Sequence, residues 1–87
     1  MTEEKAINLI FEELVKAEKK FPGWHLDPVH AGAVVGEEAG ELIQATLDFY
    51  FCREKSRDKM IKEAAQTGAM AMRFLMGVDE CERKEVK

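Results

Sequence analysis

The chain is poor in the residues that would staple, anchor or export it. It has two cysteines, two prolines, one tryptophan and one tyrosine in 87 residues. Cys52 and Cys81 stand 29 positions apart, with no CxxC and no Cys/His spacing. That excludes a disulfide framework and a zinc finger. No apolar run approaches the roughly 20 residues needed to cross a bilayer, so no membrane partner is expected. Two ordinary thiols and no secretory signal set the expectation of a reducing cytoplasm. Positive charge is also short: the net charge of −4 argues against a general binder of nucleic-acid polymers. A nucleotide substrate stays open, because a divalent metal offsets an acidic site.

The apolar share of 46% is enough for a packed core. The whole chain, 1–87, reads as one domain with a charged tail at 79–87. No internal repeat or low-complexity linker interrupts it. A core this small is marginal for a single chain, which makes self-association an expectation.

Helical periodicity organises the rest into an all-α bundle of three main helices, with a short fourth at the C-terminus as an option. Thr2 is a candidate N-cap for a helix reaching Lys20, with Glu3 and Glu4 in its first turn and Lys16, Lys19 and Lys20 at its end, each suited to the dipole. Ile7, Ile10, Phe11, Leu14 and Val15 give it one apolar face. Phe21-Pro22-Gly23-Trp24-His25-Leu26 breaks it. In that loop Trp24 either anchors the connection or stacks on a base. Asp27-Pro28 opens a second helix expected to end near Phe51.

Gly32, Gly36 and Gly40 recur every four residues inside that helix. Each costs about 0.8–1 kcal/mol relative to alanine, so a tight helix contact, within the chain or across a dimer, is expected to compensate. A third helix is expected from Asp58, with Ser56 or Asp58 as cap, to Met76, stopped by Gly77. Its methionines read as gap-filling core.

The chemistry-bearing stretch is Glu37-Glu38-Ala39-Gly40-Glu41, then 21 residues, then Glu63-Ala64-Ala65-Gln66. Residues three apart share a helix face. If the second and third helices form an antiparallel hairpin turning near Cys52, Glu38 lies level with Gln66 and Glu41 with Glu63. Three carboxylates and one amide oxygen then surround a common point. Val34, Leu42, Ala45, Ala64 and Ala65 flank them. Carboxylates in an apolar stripe repel, lose hydration and want a cation. Hard oxygen ligands suit Mg²⁺ or Mn²⁺ rather than zinc. The plain alternative is a solvated acidic face.

His30, two turns before Glu38, is a poor metal ligand and a better structural histidine or substrate contact. Lys59 and Lys62 are candidate phosphate contacts, or simply solvated. Arg73 stands two turns beyond Gln66 as either a phosphate contact or a salt-bridge partner for a glutamate. A di-iron bundle is disfavoured, since neither His25 nor His30 follows a glutamate by three.

EExxE followed by a distant acidic pair, on two helices of a small all-α chain, resembles the MazG-like nucleotide pyrophosphohydrolases. Lys20-Phe21-Pro22-Gly23-Trp24, Asp27-Pro28-Val29-His30-Ala31 and the run from Glu63 to Leu75 are similar to stretches of small members of that family. The resemblance spans roughly residues 5 to 76. It implies cleavage of a nucleoside triphosphate between the α and β phosphates, Mg²⁺ as cofactor, and a homodimer or homotetramer that completes the bundle. It also implies that Glu38, Glu41 and Glu63 are metal ligands, while Glu37, or a ligand glutamate through a bound water, prepares the attacking water. Gln66 stands where the family motif has Asp. An amide oxygen still binds a hard cation but brings no charge, so a nucleotide-binding or interaction module without turnover is the alternative expectation.

Overall fold

The computed structural model describes residues 1–84, which form helices α1 (Glu3–Lys20), α2 (Pro28–Tyr50) and α3 (Asp58–Gly77) and a 3-10 turn at Val78–Glu80. Among the described residues there is no strand. The charged tail is described only as far as residue 84, and the rest of it lies outside the described residues.

The caps explain the boundaries. Thr2 Oγ1 accepts a hydrogen bond from the Lys5 N–H (3.1 Å), and Asp27 Oδ1 accepts one from the Val29 N–H (2.9 Å) with Pro28 at the first helical position. α3 opens without a side-chain cap of its own. The Ser56 hydroxyl instead accepts from the Asp58 N–H (3.1 Å), just upstream of the helix proper. Cys52 takes a left-handed φ of 60° in the turn between α2 and α3. The N–H groups of Arg53 and Glu54 both donate to the Asp48 carbonyl there (2.8 and 3.0 Å), reversing the chain.

α3 is the element on which both others pack, whereas α1 and α2 hardly touch one another. α2 runs antiparallel to α3 across the short turn. α1 runs in the same direction as α3: Ile10 lies where a Cβ on Gly68 would be 3.0 Å away, and further along Ala17 faces Arg73. The interior is correspondingly thin. Its buried apolar residues are Leu14, Ala31, Ala45, Ala65 and Ala69. The single apolar face expected on α1 is split: Leu14 is buried, but Ile7, Phe11 and Val15 stay exposed because α2 does not reach α1. Met60 and Met70 are half-buried, while Met72 and Met76 face outward and do not fill a core.

Among the described residues Arg73 forms no ion pair with a glutamate. It is buried. Nη2 donates to the carbonyls of Phe21 (2.6 Å) and Gly23 (2.9 Å), and Nη1 reaches that of Ala17 (3.5 Å). The same group lies 4.9 Å from the Trp24 ring, whose other contact is Gly77, where a Cβ would come within 2.8 Å of Trp24 Cδ1. Carbonyls of the loop after α1, together with that of Ala17, which also accepts from the Phe21 N–H (2.8 Å), thus hold a cation, and the cation holds the loop. Arg73→Met should lower stability by about 2–3 kcal/mol, the range for hydrogen bonds to a charged group. Arg73→Lys should recover only part of this, lacking the planar fork. Denaturant midpoints and a red shift of Trp24 fluorescence report it; an unshifted midpoint in Arg73→Met would show that the loop is held by something else.

Candidate metal centre and adjoining groove

Small residues set the geometry. Ala31 and Ala45 of α2 and Ala65 and Ala69 of α3 are buried between the helices and let them approach closely. That brings one carboxylate oxygen each of Glu38, Glu41 and Glu63 within 4.8 Å of one another. Glu63 is 9% exposed, Glu38 is half-buried, and Glu41 opens to solvent. Oε2 of Glu38 and Oε2 of Glu63 are shut off from solvent and have no hydrogen-bond partner. Buried polar atoms are normally satisfied, so two such oxygens in one cluster are a cost that a positive charge would relieve.

The electrostatics agree. Burial, then the charges of Glu41, Glu63 and Glu37, push the Glu38 carboxyl above its ordinary range. Burial, then Glu41, push Glu63 the same way, against a weaker downward pull from Lys62 and Lys59.

A groove of about 1010 Å³ adjoins the cluster, in the gap left because α1 and α2 do not meet. Its floor is α3, from Lys62 and Gln66 through Ala69 and Met70 to Arg73. α2 contributes Val34, Glu37 and Glu38, and α1 contributes Glu13, Lys16, Ala17 and Lys20. The loop Phe21–His25 closes the far end. The floor runs about 16 Å, at 1.5 Å per helical residue, which matches an extended nucleoside triphosphate in length.

The predicted residues are thus brought together unequally. Glu38, Glu41 and Glu63 converge. Glu37, Gln66, Lys62 and Trp24 line the groove beside them, and Arg73 does so from its clamped position. Lys59 and His30 do not line it. His30 stacks on His25 instead (ring centroids 3.9 Å apart), and it is His25 that faces the groove. Lys16 and Lys20 are groove residues that the acidic motif does not reveal. Their signal is the four-residue spacing at the end of α1, which the helix dipole alone also explains. The chain matches no family model, no curated protein and no solved structure.

The raised carboxyls fix a sign. In metal-free protein the folded state holds these protons more tightly than the unfolded chain. The stability they contribute is therefore full below the ordinary value of 4.5 and is lost as pH rises through the raised folded values. Glu63→Gln should flatten this fall and make the metal-free protein more stable than the parent at pH 7. Denaturant midpoints between pH 4.5 and 7.5 in chelator measure it. A parent more stable than the variant at pH 7 would contradict the reading of Glu63 as an uncompensated buried charge.

Proposed function

We propose that this chain is a metal-dependent nucleoside triphosphate pyrophosphohydrolase, working as a homodimer or homotetramer. The observation that supports it most is the pair of buried, unpartnered carboxylate oxygens on Glu38 and Glu63, with Glu38 itself lining a lysine-bearing groove. The donor set fits a small hard cation: three carboxylates within reach of each other, and the amide oxygen of Gln66 on the same groove wall. Mg²⁺, or Mn²⁺ in its place, would neutralise charge on the phosphates and on the α-phosphorus as it is attacked.

The chain's own residues supply the rest. Glu37, exposed at the edge of the groove, is placed to orient a water and take its proton. The water oxygen bonds to the α-phosphorus as the bond to the α–β bridging oxygen breaks, leaving monophosphate and pyrophosphate. Lys62, Lys16 and Lys20 offer ammonium groups to the phosphate chain. Trp24 and His25 offer flat faces to a base at the opposite end. A second reading, nucleotide binding without turnover, is favoured by one feature only, the uncharged Gln66.

Release of pyrophosphate and monophosphate from a panel of ribo- and deoxyribonucleoside triphosphates with Mg²⁺ or Mn²⁺ tests the proposal. Glu38→Ala and Glu63→Gln should each lower kcat by about 100-fold or more, the scale of losing a metal ligand's share of charge stabilisation. Gln66→Asp should tighten Mg²⁺ binding. Folded protein that turns over no nucleotide sinks the enzyme. Nucleotide binding in a calorimeter without hydrolysis selects the second reading.

A further inference from the structure

Gly77 ends α3 without the usual reason for a glycine. At a helix end glycine normally supplies a left-handed φ. Gly77 has φ −100° and ψ 2° instead, and no glycine among the described residues has a positive φ. Most residues adopt that backbone, and alanine would suit the helix better. The chain does not stop there either, but winds on into the 3-10 turn Val78–Glu80.

What excludes a side chain is Trp24. A Cβ on Gly77 would stand 2.8 Å from Trp24 Cδ1, 3.5 Å from Nε1 and 3.7 Å from Cγ, all atoms of one rigid ring. The other glycines differ. Gly23, Gly32, Gly36 and Gly40 would meet nothing within 4 Å, and Gly68 would meet only the flexible side chain of Ile10. Gly77 is the position where backbone and ring leave no room for a methyl group.

The residues beside Trp24 are held as well. Arg73, one turn before Gly77 on α3, sets its guanidinium 4.9 Å from the Trp24 ring and donates to the Gly23 carbonyl (2.9 Å). On the other side His25 stacks on His30 (3.9 Å), and the Leu26 carbonyl accepts from the Glu82 N–H (2.8 Å). The loop is thus tied to α3, to α2 and to the segment that follows α3. It is a wall already set when a ligand arrives, and a preformed wall has less to order on binding. Trp24 and His25 of this wall line the groove.

We propose that Gly77 is a positioning residue for the groove: its missing side chain seats the Trp24 indole, and with it the flat wall that meets the base of a nucleotide. The seat stands on packing alone, while the ligand it serves rests on the pyrophosphohydrolase reading above. The wall and the carboxylates lie at opposite ends of the groove. Losing the seat should therefore weaken substrate binding without slowing the bound substrate, which raises KM and leaves kcat.

The test uses Gly77→Ala, Trp24→Phe and the two combined. Trp24 is the one tryptophan, so its fluorescence reports the seat directly. Gly77→Ala should keep its circular dichroism, while its emission moves to the red and acrylamide quenches it more strongly. In pyrophosphate release with Mg²⁺ its KM should rise about tenfold at unchanged kcat, within the range of one base-on-ring contact. Phenylalanine is smaller than indole and leaves room for the added methyl. In a Trp24→Phe background Gly77→Ala should therefore raise KM no further. A Gly77→Ala chain too strained to fold should fold again as the double variant. Unchanged emission in Gly77→Ala, KM effects that multiply in the double variant, or a double variant that stays unfolded would each overturn the seat. A shifted emission in a protein that binds no nucleotide in a calorimeter would instead overturn the ligand role, together with the reading above.

Discussion

The structure turns on holding three carboxylates together against their own repulsion. Glu38, Glu41 and Glu63 meet because the helices that carry them are pressed together by alanines, and alanine contributes little apolar area per residue. A contact so lean opposes the cost of Glu63 being almost wholly withdrawn from water with an oxygen that bonds to nothing. The fold is therefore a compromise that a cation would relieve. Proton uptake by Glu38 and Glu63 relieves it in part, which is why both titrate high.

The opposite end of the groove is governed by a charge of the other sign. Arg73 is buried like Glu63, but its donors are spent on backbone carbonyls of the loop and of α1. α3 thus carries the unsatisfied carboxylate of Glu63 one residue beyond Lys62 of the groove floor, and the satisfied guanidinium of Arg73 at that floor's other end. The satisfied end is scaffold: it fixes Trp24 and the Phe21–Gly23 loop, and with them the wall that would meet a substrate's base. The unsatisfied end is where binding energy is available. The two buried ionisable groups on one helix thus differ in one respect: the donors of Arg73 are satisfied, and an oxygen of Glu63 is not.

The helices, their caps and the hairpin were legible because each rests on local chemistry. Thr2 and Asp27-Pro28 name their own boundaries, and the turn near Cys52 follows from levelling Glu38 with Gln66 and Glu41 with Glu63. The convergence of three glutamates was legible for the same reason. Arg73 was not, because a helix-face argument sees only residues one or two turns away, while its acceptors lie more than fifty residues upstream. His30 and Lys59 do not line the groove, because standing eight residues before Glu38 and four before Glu63 puts them one or two turns away along their helices, beyond the end of the groove lining. Lys16 and Lys20 were hidden behind a sufficient local explanation.

The apolar periodicity was the subtlest case. Hydrophobic spacing says that a face is covered without saying by what. On α1 it led to one core face, yet Phe11 and Val15 look outward. On α2 the glycines pointed to a close neighbour, and the chain itself supplies none. The α1 reading assumed that burial happens within one copy, whereas the glycine reading left a contact across a dimer open. A protomer whose buried apolar residues are one leucine and four alanines has little area with which to offset the entropy of ordering three helices. Any further hydrophobic term would have to come from faces that a single chain leaves wet, such as Ile43, Leu47 and Tyr50 on the helix that also carries Glu38 and Glu41.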